Sequence, residues 1–318
     1  MSIVLAIPAF AAATTGTLAL GFISRWIDRK VTARLQWRVG PPWYQPLADV
    51  IKLLGKETLL PDAARGTGFL LMPVVGFAAV SLGATILWWV TFSPTSGFVG
   101  DLVVVWYLLT VPGLTAVLGG SMSGNPLAAV GAAREMKLIL AYELPLLLAV
   151  LAAIMGAGAA EDVAGGDNTF VGFRLGALKL AETEGVLATI GCVVAFVVAL
   201  MSTQAKLGLT PFDIAEAECE IATGPFIEYS GAPLALVHME RAMLMAVMPL
   251  FLITVFWGGF SFASVGLAIG SVLKYVLVIV VFVLVRNTNP RIRIDHALRF
   301  FWFGMTPLAL IALVLSMI

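Results

Sequence analysis

The chain has 318 residues, of which 60% are hydrophobic and 12% are charged. Soluble domains average roughly 45–50% apolar and about 25% charged residues. The composition therefore excludes a soluble globule and requires lipid to cover part of the apolar surface. The formal net charge of +0 excludes the basic surface of a nucleic-acid-binding protein. Cys192 and Cys219 are far apart, so no disulfide framework, zinc knuckle or iron–sulfur ligand set is predicted in this chain.

Eight apolar stretches of about 20 residues predict transmembrane helices. They cover 3–24, 68–92, 102–120, 137–158, 185–203, 232–256, 262–285 and 300–318. The first is too long for a signal-peptide core and has almost no basic residues before it, so we interpret it as a retained helix rather than a cleaved signal. No internal repeat is evident, which disfavours solenoid and inverted-repeat transporter architectures. We expect an all-α, polytopic membrane protein with a single integral membrane domain, 1–318.

Lysine and arginine residues predict the orientation of these helices. Four segments contain fifteen of them. These segments are 25–67, 121–137, 204–231 and 286–299. The loop between the fourth and fifth predicted helices contains only Arg174 and Lys179. Because basic loops stay in the cytoplasm, we expect the four segments on that side and both termini outside.

The first of these segments contains the pattern of a short amphipathic helix. Its apolar residues at helical spacing are Leu47, Val50, Ile51 and Leu54. Its charged residues on the other faces are Asp49, Lys52 and Lys56. This pattern is typical of a helix that lies along the membrane surface or against a partner. A basic loop that only sets the topology is the alternative interpretation.

The third segment, 204–231, is acidic on a side that is otherwise basic. Its carboxylates are Asp213, Glu216, Glu218, Glu220 and Glu228, and its one basic residue is Lys206. We expect Glu216 and Glu220 one helical turn apart, with Glu218 on another face. Such a cluster can relay protons, bind a metal or contact a basic partner. A solvated acidic face is the fourth interpretation.

Ionisable residues also occur inside predicted membrane helices. They are Glu143 in the fourth helix, His238, Glu240 and Arg241 in the sixth, and Lys274 near the middle of the seventh. A charged residue at the bilayer centre costs at least about 2.5 kcal/mol, so these side chains should face the bundle interior or water. Glu240 and Arg241 point about 100° apart on a helix and should not neutralise each other. Structural ion pairs between helices are the alternative to a functional role.

Several motifs in a fixed order resemble one family. They are Arg38-Val-Gly-Pro, Gln45-Pro-Leu-Ala-Asp49 with Lys52, Arg134-Glu135 with Tyr142-Glu143, Pro211-Phe-Asp213 with Glu216-Ala-Glu218 and Glu220, Glu228-Tyr-Ser-Gly231, and Asn289-Pro-Arg291-Ile-Arg293-Ile-Asp295. Over nearly its whole length the chain resembles the eight-helix subunit that joins the peripheral and membrane arms of respiratory complex I and of membrane-bound group 4 NiFe hydrogenases.

The loop after the Arg38 turn distinguishes branches of that family. Pro42-Trp-Tyr-Gln45 follows at once, whereas complex I members have a longer loop there, so this chain is more similar to the energy-converting hydrogenases. Sulfane-reducing and formate-hydrogenlyase complexes, and a quinone-reducing complex I, are the alternatives. Cys219 departs from the family, which usually has Gln at that position.

The resemblance implies that this subunit itself holds no cofactor. The NiFe centre and iron–sulfur clusters would belong to hydrogenase-like large and small subunits and an iron–sulfur subunit, with antiporter-like subunits beside it in the plasma membrane of a prokaryote. The docking and coupling residues would be Arg34, Arg38, Asp49, Lys52, Lys56, Arg134, Arg291, Arg293 and Asp295. A proton path would use Glu143, Asp213, Glu216, Glu218, Glu220 and Glu228. Depth in the membrane adds Glu240 and Lys274.

Overall fold

The structure is a computed structural model that describes residues 3–64, 66–92, 101–156, 186–262 and 264–317. Over these ranges the chain is helical and has no strand. The helices are α1 (Ile3–Leu35), α2 (Gln45–Leu54), α3 (Gly66–Phe92), α4 (Asp101–Met122), α5 (Pro126–Gly156), α6 (Val186–Lys206), α7 (Glu218–Ile221), α8 (Gly231–Phe256), α9 (Val265–Thr288), α10 (Ile294–Arg299) and α11 (Thr306–Ser316). A π-helical turn, Phe300–Met305, joins α10 to α11.

The predicted all-α membrane fold is confirmed. In the described ranges, eight helices are long and apolar enough to cross a bilayer, with α10, the π-helical turn and α11 counted as one span. The predicted amphipathic helix is α2, whose Val50 is buried while Leu47 and Ile51 remain exposed. The predicted outward loop with Arg174 and Lys179 lies outside the described residues.

Two membrane helices extend further into the polar segments than predicted. Helix α1 continues through the basic residues to Leu35, and α5 already begins at Pro126. Asn125 explains the early start of α5, because its side-chain oxygen accepts a hydrogen bond from Leu127 N at 2.9 Å and Pro126 is favoured at the first helical position. Much of the predicted loops 25–67 and 121–137 is therefore helix, since hydropathy marks the apolar part of a helix and not its end.

Helix α8 forms the centre of the bundle. It packs against α1, α2, α3, α6 and α9, and most of its residues are buried. Its closest neighbour is α1, where a Cβ on Gly21 would lie 2.3 Å from the carbonyl oxygen of Ala242. Small residues at such contacts let membrane helices approach closely. The charged residues of α8 are consequently held within the protein.

The polar connections meet at one end of the bundle, which we call the loop end (residues 36–62, 123–125, 207–230 and 289–293). Leu59 N donates to Ser230 Oγ at 2.8 Å, and Ile292 N donates to the carbonyl of Pro211 at 3.2 Å. These bonds join segments that are far apart in the sequence. The connection with the most carboxylates, residues 207–230, is called the acidic loop below.

The acidic loop is inserted into the bundle. Its 3₁₀ turn, Gly224–Phe226, packs against α4 and α5. A Cβ on Gly131 of α5 would lie 2.8 Å from Pro225 Cδ and 2.9 Å from Gly224 Cα, so only glycine admits the turn at this point. The carboxylates of the loop are thereby placed over the charged residues inside the bundle.

Candidate functional site

The deepest part of the site is an ion pair between α5 and α6. Lys206 Nζ lies 2.8 Å from Glu143 Oε1. Trp106 Nε1 donates to Glu143 Oε2 at 2.8 Å, and the Thr110 hydroxyl lies 3.0 Å from Oε1. Only 4% of the Lys206 side chain is exposed, against 20% for Glu143. The carboxylate is therefore held by a cation and two neutral donors in a largely dry environment.

Glu143 also borders a groove that opens sideways between α4 and α5. The groove has a volume of about 310 Å³, and its walls include Leu102, Trp106 and Leu147. Apart from Glu143 and Thr110, most of its lining is apolar. One side of the carboxylate thus faces the protein interior through Lys206, and the other faces the lateral surface of the bundle.

A second ion pair connects the acidic loop to the central helix. Arg241 of α8 binds Glu216 through two contacts, of which the Nη1–Oε2 distance is 2.8 Å. The Arg241 guanidinium also lies 4.3 Å from the centre of the Phe226 ring, in a cation–π contact. Arg241 therefore pairs with a loop carboxylate rather than with its neighbour Glu240, in agreement with the predicted helical geometry.

A small cavity lies between these two ion pairs. It has a volume of about 50 Å³, and its lining includes Glu135, Lys206, Glu216, Glu240 and Arg241. A cavity of this size accommodates one or two water molecules when polar groups surround it. The loop pair and the Glu143–Lys206 pair thus border the same polar space.

Glu240 is the single carboxylate of α8 and is 6% exposed. A Cβ on Gly76 would lie 2.5 Å from Glu240 Oε2 and 2.7 Å from Thr115 Oγ1. The carboxylate therefore occupies space that a side chain at position 76 would fill. In the described chain no lysine or arginine lies within ion-pair distance of it.

The other loop carboxylates lie nearer the surface. Asp213 pairs with Arg291 at 2.5 Å, and Glu220 pairs with Arg134 at 2.5 Å. Glu228 accepts a hydrogen bond from Asn125 Nδ2 at 2.6 Å. Burial raises the pKa of Asp213 above its usual value, although the Arg291 guanidinium opposes the shift. Three arginines from other parts of the chain, Arg134, Arg241 and Arg291, thus compensate the negative charge of the acidic loop.

Two geometric predictions are wrong. Glu216 and Glu220 do not share a helix, because α7 covers only Glu218–Ile221. Lys274 does not face a polar interior: its side chain is exposed on the outside of the bundle and donates to the carbonyl of Trp257 at 3.3 Å. The position of Lys274 in the sequence indicated depth but not direction around α9. The side chains of Glu218 and Cys219 lie outside the described part of the chain.

Most of the proposed docking residues are exposed at the loop end. Asp49 accepts hydrogen bonds from Arg29 at 3.0 Å and from Gln45 at 2.8 Å, so its partners do not include Arg38. Burial raises the pKa of Asp49, but the hydrogen bonds from Gln45 and Arg29 lower it by more, so this pKa lies below its usual value. The exposed docking residues are Arg34, Arg38, Lys52, Lys56, Arg291, Arg293 and Asp295. Trp37 and Val39 beside them are 98% and 89% exposed.

The arrangement of charges suits proton exchange better than metal binding. Among the described residues, no group of three or more His, Cys, Asp or Glu side chains is placed to hold a metal ion. The carboxylates instead alternate with cations and polar groups around a shared cavity. Such coupled groups redistribute protons when one of the charges moves.

Sequence reasoning missed two members of this site. Lys206 is predicted from the sequence only as a loop cation, yet it is the partner of Glu143. Glu135 belongs to one of the family motifs, yet nothing in the sequence places it at the cavity that it borders. Glu135 lies about two helical turns before Glu143 on the same helix, and this spacing is the one feature of the sequence that could have indicated that the two residues belong to one site. No local signal identifies Lys206, because the two residues of the pair are 63 positions apart.

Comparison with known proteins gives one consistent family. Residues 7–317 match the family described as NADH dehydrogenase. The chain is 30% identical to a subunit of the NADH-quinone oxidoreductase of Geobacillus kaustophilus, over 94% of this chain and 90% of that protein. It is 32% identical to the corresponding NADH-quinone oxidoreductase subunit of Dehalococcoides mccartyi (strain CBDB1), over 92% and 80%.

A solved structure is also similar over the full length. A chain of the membrane-bound sulfane sulfur reductase, an archaeal respiratory membrane complex, superposes with a TM-score of 0.83 at 27% sequence identity. The superposition covers 98% of this chain and 99% of that one.

Proposed function

Since the chain belongs to the NADH dehydrogenase family and is a membrane subunit of a complex I-like oxidoreductase, we propose a specific role within it. The chain is the membrane subunit of an energy-converting group 4 NiFe-hydrogenase-type complex. It anchors the peripheral redox subunits and couples their electron transfer to movement of H⁺ or Na⁺ across the membrane. It has no catalytic activity alone.

The connection between α1 and α2 supports this branch of the family. It is short and runs over 36–44. A short connection suits a complex without a quinone tunnel. A sulfane-reducing complex is the second candidate, because the similar solved structure comes from such an assembly.

The observation that carries the coupling role is the cavity shared by two ion pairs. Charge displaced at the acidic loop would first act on Asp213, Glu216, Glu218, Glu220 and Glu228. Glu216, Arg241 and Lys206 line the cavity. Glu143 does not line it but is paired with Lys206. A proton would pass through Glu135 or Glu240 to Glu143. From Glu143 the lateral groove leads out of the bundle, towards antiporter-like subunits.

The docking role is supported by the exposed surface at the loop end. The surface combines cations with uncovered apolar residues such as Trp37 and Val39, a combination common at protein interfaces. Arg134 and Arg291 belong to it but also bind Glu220 and Asp213. Movement of a docked partner would therefore reach the acidic loop. The NiFe centre and iron–sulfur clusters belong to those partners.

The identity of the complex is tested by purification with its partners. We expect hydrogen evolution from a reduced low-potential donor, insensitivity to quinone-site inhibitors, and co-purification of a large subunit with two CxxC motifs. Reduction of sulfane sulfur without hydrogen evolution would support the second candidate. Inhibitor-sensitive quinone reduction would assign the chain to complex I.

The coupling role is tested by Glu143→Gln in the reconstituted complex. Glutamine keeps the size of glutamate and one acceptor oxygen, but it replaces the second oxygen by an amide donor and cannot exchange a proton. We expect the complex to assemble with lower stability, because Lys206 loses its anion, while the ion gradient per turnover falls sharply and turnover slows. Leu144→Met, a neutral change on the same helix, is the control. A normal gradient per turnover would make Glu143 a structural residue.

A further inference from the structure

Lys274 lies on the outer surface of the bundle, in a region otherwise lined by apolar residues. Its neighbours along α9, Leu273 and Leu277, are 63% and 53% exposed. Its ammonium group donates to the carbonyl of Trp257 at 3.3 Å. An ammonium group has three donors, and in the described chain this carbonyl is its one hydrogen-bond acceptor. The proton-path proposal does not use this residue.

A groove of about 720 Å³ passes beside Lys274. Its walls are α6 and α9, which carry Val193, Phe196, Leu273 and Leu277. The end of α8 closes the groove with Trp257, whose ring lies 4.9 Å from that of Phe196. The groove is open at Gly270, where a Cβ would meet nothing within 4 Å. The groove is lined mostly by apolar residues and opens to the outside of the bundle.

The charge lies at one end of this groove. A lysine side chain on a helix leans toward the N-terminus, and Lys274 accordingly reaches back to the residue that follows the last turn of α8. This is the end of the bundle opposite the loop end, because α8 begins beside the acidic loop and finishes there. Tryptophan at such a position is typical of the membrane–water interface. Although Lys274 lies well inside α9, its side chain reaches back to Trp257, and we infer from this contact that the ammonium lies near the lipid headgroups, with the apolar walls continuing toward the membrane centre.

We propose that this groove is a binding site for an anionic phospholipid of the leaflet opposite the loop end. The phosphate pairs with Lys274, and one acyl chain lies along the groove between α6 and α9. Charge complementarity supports the choice: the site offers one cation at headgroup level and only apolar walls below it. A zwitterionic lipid would gain less from the same cation.

The test uses the purified complex reconstituted in vesicles of phosphatidylcholine and phosphatidylglycerol. Either lipid carries a photoreactive acyl chain, and cross-links to peptides from α6 and α9 are counted. We expect labelling by phosphatidylglycerol to exceed labelling by phosphatidylcholine. Lys274→Gln should reduce that preference about fivefold, the factor that corresponds to one lysine's attraction to an anionic lipid surface.

Two further variants separate the headgroup from the groove. Lys137→Gln removes another exposed lysine, on α5, and should leave the labelling unchanged. Gly270→Phe keeps the charge, and its side chain enters open space, so the fold should tolerate it while the acyl chain is displaced and labelling by both lipids falls. Equal labelling by the two lipids, or wild-type preference in Lys274→Gln, would overturn the proposal. A carbodiimide cross-link from Lys274 to a carboxylate of another subunit would also overturn it.

Discussion

Two ion pairs of nearly equal length lie in different environments in this protein. Glu143 and Lys206 are 2.8 Å apart inside the bundle, with side chains 20% and 4% exposed. Arg29 and Asp49 are 3.0 Å apart at the loop end, with side chains 41% and 42% exposed. Water screens the second pair and leaves it little net energy. Loss of one partner from the first leaves an uncompensated charge in a poorly hydrated site. Equal geometry therefore does not mean equal energy or equal function.

The largest expected effect comes from breaking the interior pair. Lys206→Met leaves the Glu143 carboxylate without its cation, which should cost about 3–5 kcal/mol of stability. We expect a lower thermal midpoint of the purified complex and loss of ion translocation. The double variant Lys206→Met with Glu143→Gln removes both charges and should recover most of the stability but not the translocation. If the double variant were no more stable than Lys206→Met, the pair would not be the source of the effect.

The pair between loop and bundle should show an intermediate effect. Glu216 and Arg241 are 30% and 29% exposed, so Glu216→Gln should cost about 1.5–3 kcal/mol, the value of a hydrogen bond to a charged group. Turnover should continue while the ion gradient per turnover falls. The matched control is Glu57→Gln, since Glu57 is an exposed carboxylate at the loop end with no ion pair among the described residues. An equal loss in both variants would mean that the charge of Glu216 has no special role.

A steric change tests whether the position of the acidic loop matters apart from its charge. Gly131→Ala places a methyl group 2.8 Å from Pro225 Cδ, and such overpacking costs about 1–3 kcal/mol. We expect reduced thermal stability and weaker coupling with every charged residue intact. Gly266→Ala is the control, because nothing lies within 4 Å of its added Cβ. Normal coupling in Gly131→Ala would show that the loop tolerates displacement.

The smallest effect on stability is expected at the exposed pair. Asp49→Asn should change it by less than about 1 kcal/mol. If the surface around α2 is a docking site, Asp49→Asn and Arg38→Ala should still weaken association with the peripheral subunits. Pull-down of those subunits at increasing salt measures this effect, because exposed electrostatic contacts are screened. Wild-type association of both variants at all salt concentrations would reject the docking role.

The sequence alone determined the membrane class, the number of crossings, the amphipathic helix and the family. Hydrophobic length and helical spacing are local properties, and the ordered motifs do not depend on which residues touch. The acidic character of residues 204–231 was visible for the same reason, and so was the divergence of Glu240 from Arg241, because adjacent residues on one helix must point in different directions.

Only the tertiary structure decided which charges meet. Lys206 pairs with Glu143 because α5 and α6 pack together, and Glu216 reaches Arg241 because the turn at Pro225 inserts between α4 and α5. The tertiary structure also placed Lys274 on the exposed outside of the bundle, where hydropathy alone suggested an interior position. Burial depends on how each helix is rotated against its neighbours. That rotation is set by packing between residues far apart in the chain, and no local pattern encodes it.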